Sequence, residues 1–111
     1  MRHFQASAVE RRIQFTKELQ SHPMEAGWAA EAIFFLIVEE ISGLQAVAHA
    51  AVEISADGIN WVREGTEFPP IDKEGHYYCK VKHFGNWLRV SIEVSGKETL
   101  VKASVQLHLK S

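Results

Sequence analysis

The run EAIFFLIVEEIS, residues 31–42, decides between two architectures. A continuous apolar stretch of this length fits a buried helix or a strand covered on both faces, and periodicity alone does not separate the two. Its content of Ile, Phe and Val favours the strand, because β-branched and aromatic side chains suit a pleated surface better than a helix. Ser42-Gly43 then stops the run with turn residues. The next segment, LQAVAHAAVEIS at 44–55, carries alanines that prefer helix on intrinsic propensity. Yet Ala46, Ala48, Ala50, Val52 and Ile54 alternate with Gln45, Val47, His49, Ala51 and Glu53, the period of a strand with small side chains on both faces.

Outward from there, the alternation recurs. In HYYCKVKH (76–83), Tyr77, Cys79, Val81 and His83 share one face. In NWLRVSIEV (86–94) the apolar set is Leu88, Val90, Ile92 and Val94, and in TLVKASVQLHLK (99–110) it is Val101, Ala103, Val105, Leu107 and Leu109. Upstream, RRIQFTKEL (11–19) reads as an edge strand through Ile13 and Phe15, and NWVREG (60–65) as a short one. Gly, Asn and Ser punctuate the intervals, while Pro69-Pro70 stiffens the one extended loop, 66–75. This pattern predicts an all-β fold: a single antiparallel β-sandwich or jelly-roll-like domain of about seven to eight strands over 1–111, with residues 1–12 as an N-terminal arm.

A chain of 111 residues is the size of one domain, and 46% hydrophobic with 23% charged residues is an ordinary globular composition. The single cysteine, Cys79, closes no intramolecular disulfide. A formal net charge of -2 argues against direct nucleic-acid binding, which calls for a basic excess. The longest apolar run, Trp28 to Val38, is interrupted by Glu31 and falls short of the roughly 20 residues of a membrane span. MRHFQASAVERR lacks the apolar centre of a signal peptide, so the expected location is cytoplasmic at synthesis and then an assembled particle, with no membrane partner.

No catalytic constellation, cofactor or metal site is legible. The six histidines share no strand face, Cys79 falls on an inner face among Tyr77 and Val81, and Glu39-Glu40 diverge on a strand instead of flanking one bond. Glu64, Glu67, Asp72 and Glu74 gather near the Pro-Pro loop without the dense spacing of a calcium loop and read as a solvated acidic segment.

SADGINW, residues 55–61, is expected to be a hairpin bend, with Asp57 capping the turn, Gly58 taking a positive φ and Trp61 folding back over the sandwich. ISADGINW (54–61) followed by GNWLRVSIEVSG (85–96) resembles a signature of small phage and virion-associated β-sandwich structural proteins, and is also similar to discoidin-like carbohydrate-binding modules; the resemblance covers roughly 46–109. The first likeness implies a non-enzymatic protein that assembles into a particle, such as a capsid decoration or a minor head or tail component, with protein partners in a homo-oligomer or lattice. The second implies a glycan-binding module using Trp61, Trp87 and the loop carboxylates. Discoidin-type modules are longer and commonly carry a calcium site or a disulfide, which leaves the structural role as the reading.

For such a role two surfaces offer themselves. If the last three strands are neighbours, Tyr78, Lys80, Lys82, Trp87 and Arg89 share an outer face with Lys102, His108 and Lys110, and Trp87 and Arg89 are natural anchors for an acidic partner. The arm, through Phe4, Arg11 and Arg12, is positioned to reach a neighbouring subunit by strand addition.

Overall fold

Residues 31–42 are a strand, and the strand runs on through 44–55 as one 25-residue element in the computed structural model, which describes residues 3–111. Seven strands follow in chain order: β1 (Phe4–Phe15), β2 (Glu18–Gln20), β3 (Met24–Glu25), β4 (Glu31–Ser55), β5 (Val62–Glu67), β6 (Gly75–Lys82) and β7 (Trp87–Lys110). No helix among the described residues is long and apolar enough to cross a membrane.

Two of these strands are too long to be straight. At about 3.3 Å per residue β4 would span roughly 80 Å, whereas the longest dimension of the molecule is 48 Å. Both β4 and β7 therefore turn a corner, and they turn it together. Their antiparallel register slips between Val38 and Glu40, between Ser42 and Leu44, and between Leu44 and Val47. The left-handed backbone gathers at the same place, at Gly43 (φ +124°) and Gln45 (+55°) on β4 and at Gly96 (+117°) and Glu98 (+51°) on β7.

Beyond the corner on one side, β1, the C-terminal half of β7, the N-terminal half of β4 and β6 lie side by side. On the other side the order is β2 with β3, the N-terminal half of β7, the C-terminal half of β4, then β5. Counting each half of β4 and β7 separately, and β2 with β3 as one edge, gives eight strands. They are ordered first-eighth-third-sixth against second-seventh-fourth-fifth. That is the jelly roll, two Greek keys wound into facing sheets.

One core fills the space between the sheets. Phe34, Leu36, Val81, Val105, Leu107 and Leu109 come from the first, and Val52, Leu88, Val90 and Ile92 from the second, all at most 1% exposed. Ala48 and Ala50 lie beside the Pro-Pro loop, which is clipped to them by backbone hydrogen bonds: Ile71 N–H donates to Ala48 O and Ala48 N–H to Ile71 O, and Phe68 N–H donates to Ala50 O. The buried side chains of Phe68 and Ile71 anchor the loop on either side of the prolines. The short strand expected at 60–65 forms two residues later, as β5.

The N-terminal segment is not a free arm. Residues 4–15 are β1, paired antiparallel with the C-terminal half of β7 from Lys110 back to Val101; residues 1 and 2 lie outside the described residues. The period of two is hidden in the sequence by two bulges, between Ala8 and Glu10 and between Glu10 and Ile13, the second passing through Arg12 at φ +46°. Between the bulges Glu10 is turned inward to 8% exposure, and its carboxylate accepts His22 N–H at 2.9 Å and contacts His22 Nδ1 at 2.7 Å. That contact ties β1 to the chain entering β3.

Candidate assembly surface

Strand pairing separates residues that the sequence had grouped. β6 pairs with β4 and not with β7, so Tyr78, Lys80 and Lys82 stand on the outer face of the first sheet, while Trp87 and Arg89 stand on that of the second. The single face expected from the last three strands is thus corrected: those strands are consecutive in sequence, but the corner in β7 sends its two halves to different sheets. Lys102, His108 and Lys110, on the C-terminal half of β7, do lie with Tyr78, Lys80 and Lys82.

The first outer face is built in rows, because directly paired residues share a side. Phe4, Lys110, Glu31 and Lys82 form one row, Ala6, His108, Ile33 and Lys80 the next, and Ala8, Gln106, Phe35 and Tyr78 the third, with Ser104, Ile37 and His76 beyond. Its middle is aromatic. His108 lies with its ring centroid 4.8 Å from Phe35 and 5.6 Å from Phe4, and Phe35 is 6.3 Å from Tyr78. Phe4 and Tyr78 remain 60% and 59% exposed, so these rings cover the sheet without being covered. The sequence signal for this surface was the unbroken apolar run at 32–38. Phe34, Leu36 and Val38 enter the core, whereas Ile33, Phe35 and Ile37 are left half-buried on the outside.

Arg11 is exposed, and Arg12 is engaged within the chain, its Nε donating to Glu39 Oε2 at 3.2 Å and its backbone N–H to Ser104 Oγ at 2.8 Å. Lys102 Nζ approaches the same carboxylate at 3.8 Å.

On the second sheet, Arg89 is held from two sides. Its Nε donates to Glu53 Oε1 at 2.6 Å and its Cζ sits 4.2 Å from the ring centroid of Trp61. With side chains only 22% and 15% exposed, Arg89 and Glu53 form a partly desolvated pair whose geometry is internal to the protein. Removing one partner strands the other, so Arg89→Ala should lower stability by about 2 kcal/mol. Chemical denaturation of Arg89→Ala, Glu53→Ala and the double variant measures this, with a coupling near zero arguing against the pair.

At the neighbouring bend, Asp57 Oδ1 accepts the N–H groups of Ile59 and Asn60, each at 2.9 Å, and the Ser55 hydroxyl at 3.0 Å, while Oδ2 accepts Asn60 Nδ2 at 2.9 Å. These bonds, led by the Asn60 backbone, hold the carboxyl well below the usual carboxylate range. Gly58 (φ +79°) packs under Trp87, whose ring would lie 3.2 Å from an added Cβ. Asp57, Gly58, Trp61 and Trp87 are thereby brought together at one end of the sandwich.

Burial pushes the Cys79 thiol up to about 12, with the Glu64 charge adding to the shift, so the thiolate nucleophile is disfavoured. Among the described residues no three His, Cys, Asp or Glu side chains cluster as a metal site. In the acidic loop, Glu64 Oε1 instead accepts from the backbone and hydroxyl of Thr66. A depression of about 570 Å³ is lined by His3, Phe4, Ala30, Glu31, Lys110 and Ser111, where the Ser111 hydroxyl accepts the backbone N–H of His3 at 2.7 Å.

No protein-family model matches the chain, and no curated protein matches it by sequence. In three dimensions it is similar to a chain in the structure of infectious bursal disease virus, Gx strain, with a TM-score of 0.64 over 98% of this chain and 11% sequence identity. This chain spans about a third of that one, 32% of its length. The likeness is one of fold.

Proposed function

We propose that the protein is a non-enzymatic structural subunit, a jelly-roll building block that assembles through protein contacts into a virion or virion-like particle. The fold supports this reading: an eight-strand jelly roll that superposes along nearly its whole length on part of a viral chain. The outer face of the first sheet supports it too, since a protein that stays alone has little reason to leave Phe4, Phe35 and Tyr78 as a continuous aromatic patch in water. Glycan binding draws less support, because the Trp61 face that would stack on a sugar is occupied by Arg89.

Light scattering over a wide range of protein concentration, followed by electron microscopy of the heaviest fractions, tests the proposal. The expected result is a closed oligomer or a mass that climbs with concentration. A strict monomer that also fails to decorate any particle would sink it.

A further inference from the structure

The two outer faces of the sandwich carry opposite charge. On the first sheet Lys80, Lys82 and Lys110 stand against Glu31 alone in the rows around the aromatic patch, and none of the three lysines lies within 4.0 Å of a carboxylate among the described residues. On the second sheet the register puts Glu18, Glu25, Glu53, Glu67 and Glu93 outward against Arg63 and Arg89. Arg89 is spent on Glu53, and Arg63 approaches Glu67 and Glu93 only at 4.0 and 3.9 Å.

The sharpest feature of the acidic face is a mismatch. Glu18 and Glu93 are direct cross-strand partners, and both are exposed. Like charges in that position destabilise a strand pair, whereas opposite charges stabilise it. In the isolated chain Glu93 meets Arg63 at 3.9 Å and has His49 as its other cross-strand partner, whereas Glu18 has no cation within 4.0 Å among the described residues, and a cation brought from outside would relieve the repulsion. The same chain displays such cations, beside an unpartnered apolar patch, on its opposite face.

We propose that copies of this chain stack front to back, the basic aromatic face of the first sheet seating on the acidic face of the second sheet of the next copy, with Lys80 and Lys82 facing Glu18 and Glu93. A symmetric front-to-front dimer would set lysines against lysines, and a back-to-back one would set glutamates against glutamates. Only the heterologous contact sets the basic excess of one face against the acidic excess of the other, and such contacts propagate into rings or open stacks. The proposal rests on the assembling role inferred above and names the partner as a second copy.

Charge reversal tests it. Lys80→Glu with Lys82→Glu gives one variant, and Glu18→Lys with Glu93→Lys the other; all four side chains are exposed, so circular dichroism should show wild-type folding. Should a reversal unfold the chain, the neutral pairs Lys80→Gln with Lys82→Gln and Glu18→Gln with Glu93→Gln replace it. Sedimentation velocity is expected to show self-association of the wild type weakening with salt and each variant alone weakened at least about tenfold. Mixed one to one, the two reversed variants should associate again, because each now offers the sign that the other lost. Association untouched by either change, lost on one face only, or not regained on mixing overturns the front-to-back contact while leaving assembly itself standing. A wild type that never self-associates overturns the contact as well; if that monomer still decorates a particle, the structural role survives without it.

Discussion

Replacing Gly96 by alanine should cost about 3 kcal/mol or more, strain at a left-handed position adding to a steric clash. Gly96 sits at φ +117° in the corner of β7, and an added Cβ would lie 2.7 Å from Leu44 O and 2.9 Å from Gln45 O, both backbone atoms of the partner strand. Neither carbonyl can swing away as a side chain would. Gly43 faces the reciprocal crowding from Lys97 O and Glu98 O at 2.8 and 2.9 Å, so the two strands cross the corner with their backbones nearly in contact. For a domain of this size the loss corresponds to a Tm fall of roughly 12 °C or more. Gly65→Ala is the control. Its φ is +114° but nothing lies within 4 Å of the added methyl, so only the dihedral strain, about 1–2 kcal/mol, should appear. Thermal unfolding of both variants measures the difference, and equal Tm shifts would show that the corner tolerates separation of β4 and β7.

Phe34→Ala should cost about 3–5 kcal/mol, a large part of the stability of an ordinary domain. Phe34 is fully buried between the sheets, flanked in register by Cys79 and Leu107, and truncation leaves a cavity that the rigid sheets cannot close. Its neighbour Phe35 has the same chemistry and the opposite outlook, being half-buried among His108 and Tyr78 on the outer face. Phe35→Ala should cost only about 1 kcal/mol and should instead weaken self-association. Urea titration paired with sedimentation separates the two effects. A Phe35→Ala variant as unstable as Phe34→Ala would move Phe35 into the core, and one that assembles normally would remove it from the interface.

The comparison of Phe34 with Phe35 also shows what was legible beforehand. The inner-face sets read from alternation in β7 are buried except for Val94, which is half-buried where β7 approaches the corner: Leu88, Val90 and Ile92 in one half and Val101 through Leu109 in the other, because a period of two survives wherever a strand is regular. It fails where the backbone is not. The bulges in β1 break the period around Glu10 and Arg12, which made a paired strand look like an unstructured arm. At the bend, Asp57, Gly58 and Ser55 interact across two or three residues, so their hydrogen bonds and the positive φ belong to a motif confined to the sequence itself. Trp87 and Arg89 read as free anchors for the opposite reason. Their partners Gly58, Trp61 and Glu53 are remote in the chain, and nothing local announces them.

By itself, then, the sequence determined the all-β class and, in the regular stretches of β6, β7 and the C-terminal half of β4, the side that faces inward, since these follow from side-chain alternation and from turn residues acting over a few positions. Only the tertiary structure decided which outer residues stand together. β4 and β7 bend at Gly43 and Gly96 and carry their halves into different sheets, so Tyr78 joins Phe4 and His108 while Trp87 goes to the far side. Faces are set by pairing between strands as much as 106 residues apart, Phe4 with Lys110, and no local period contains that information.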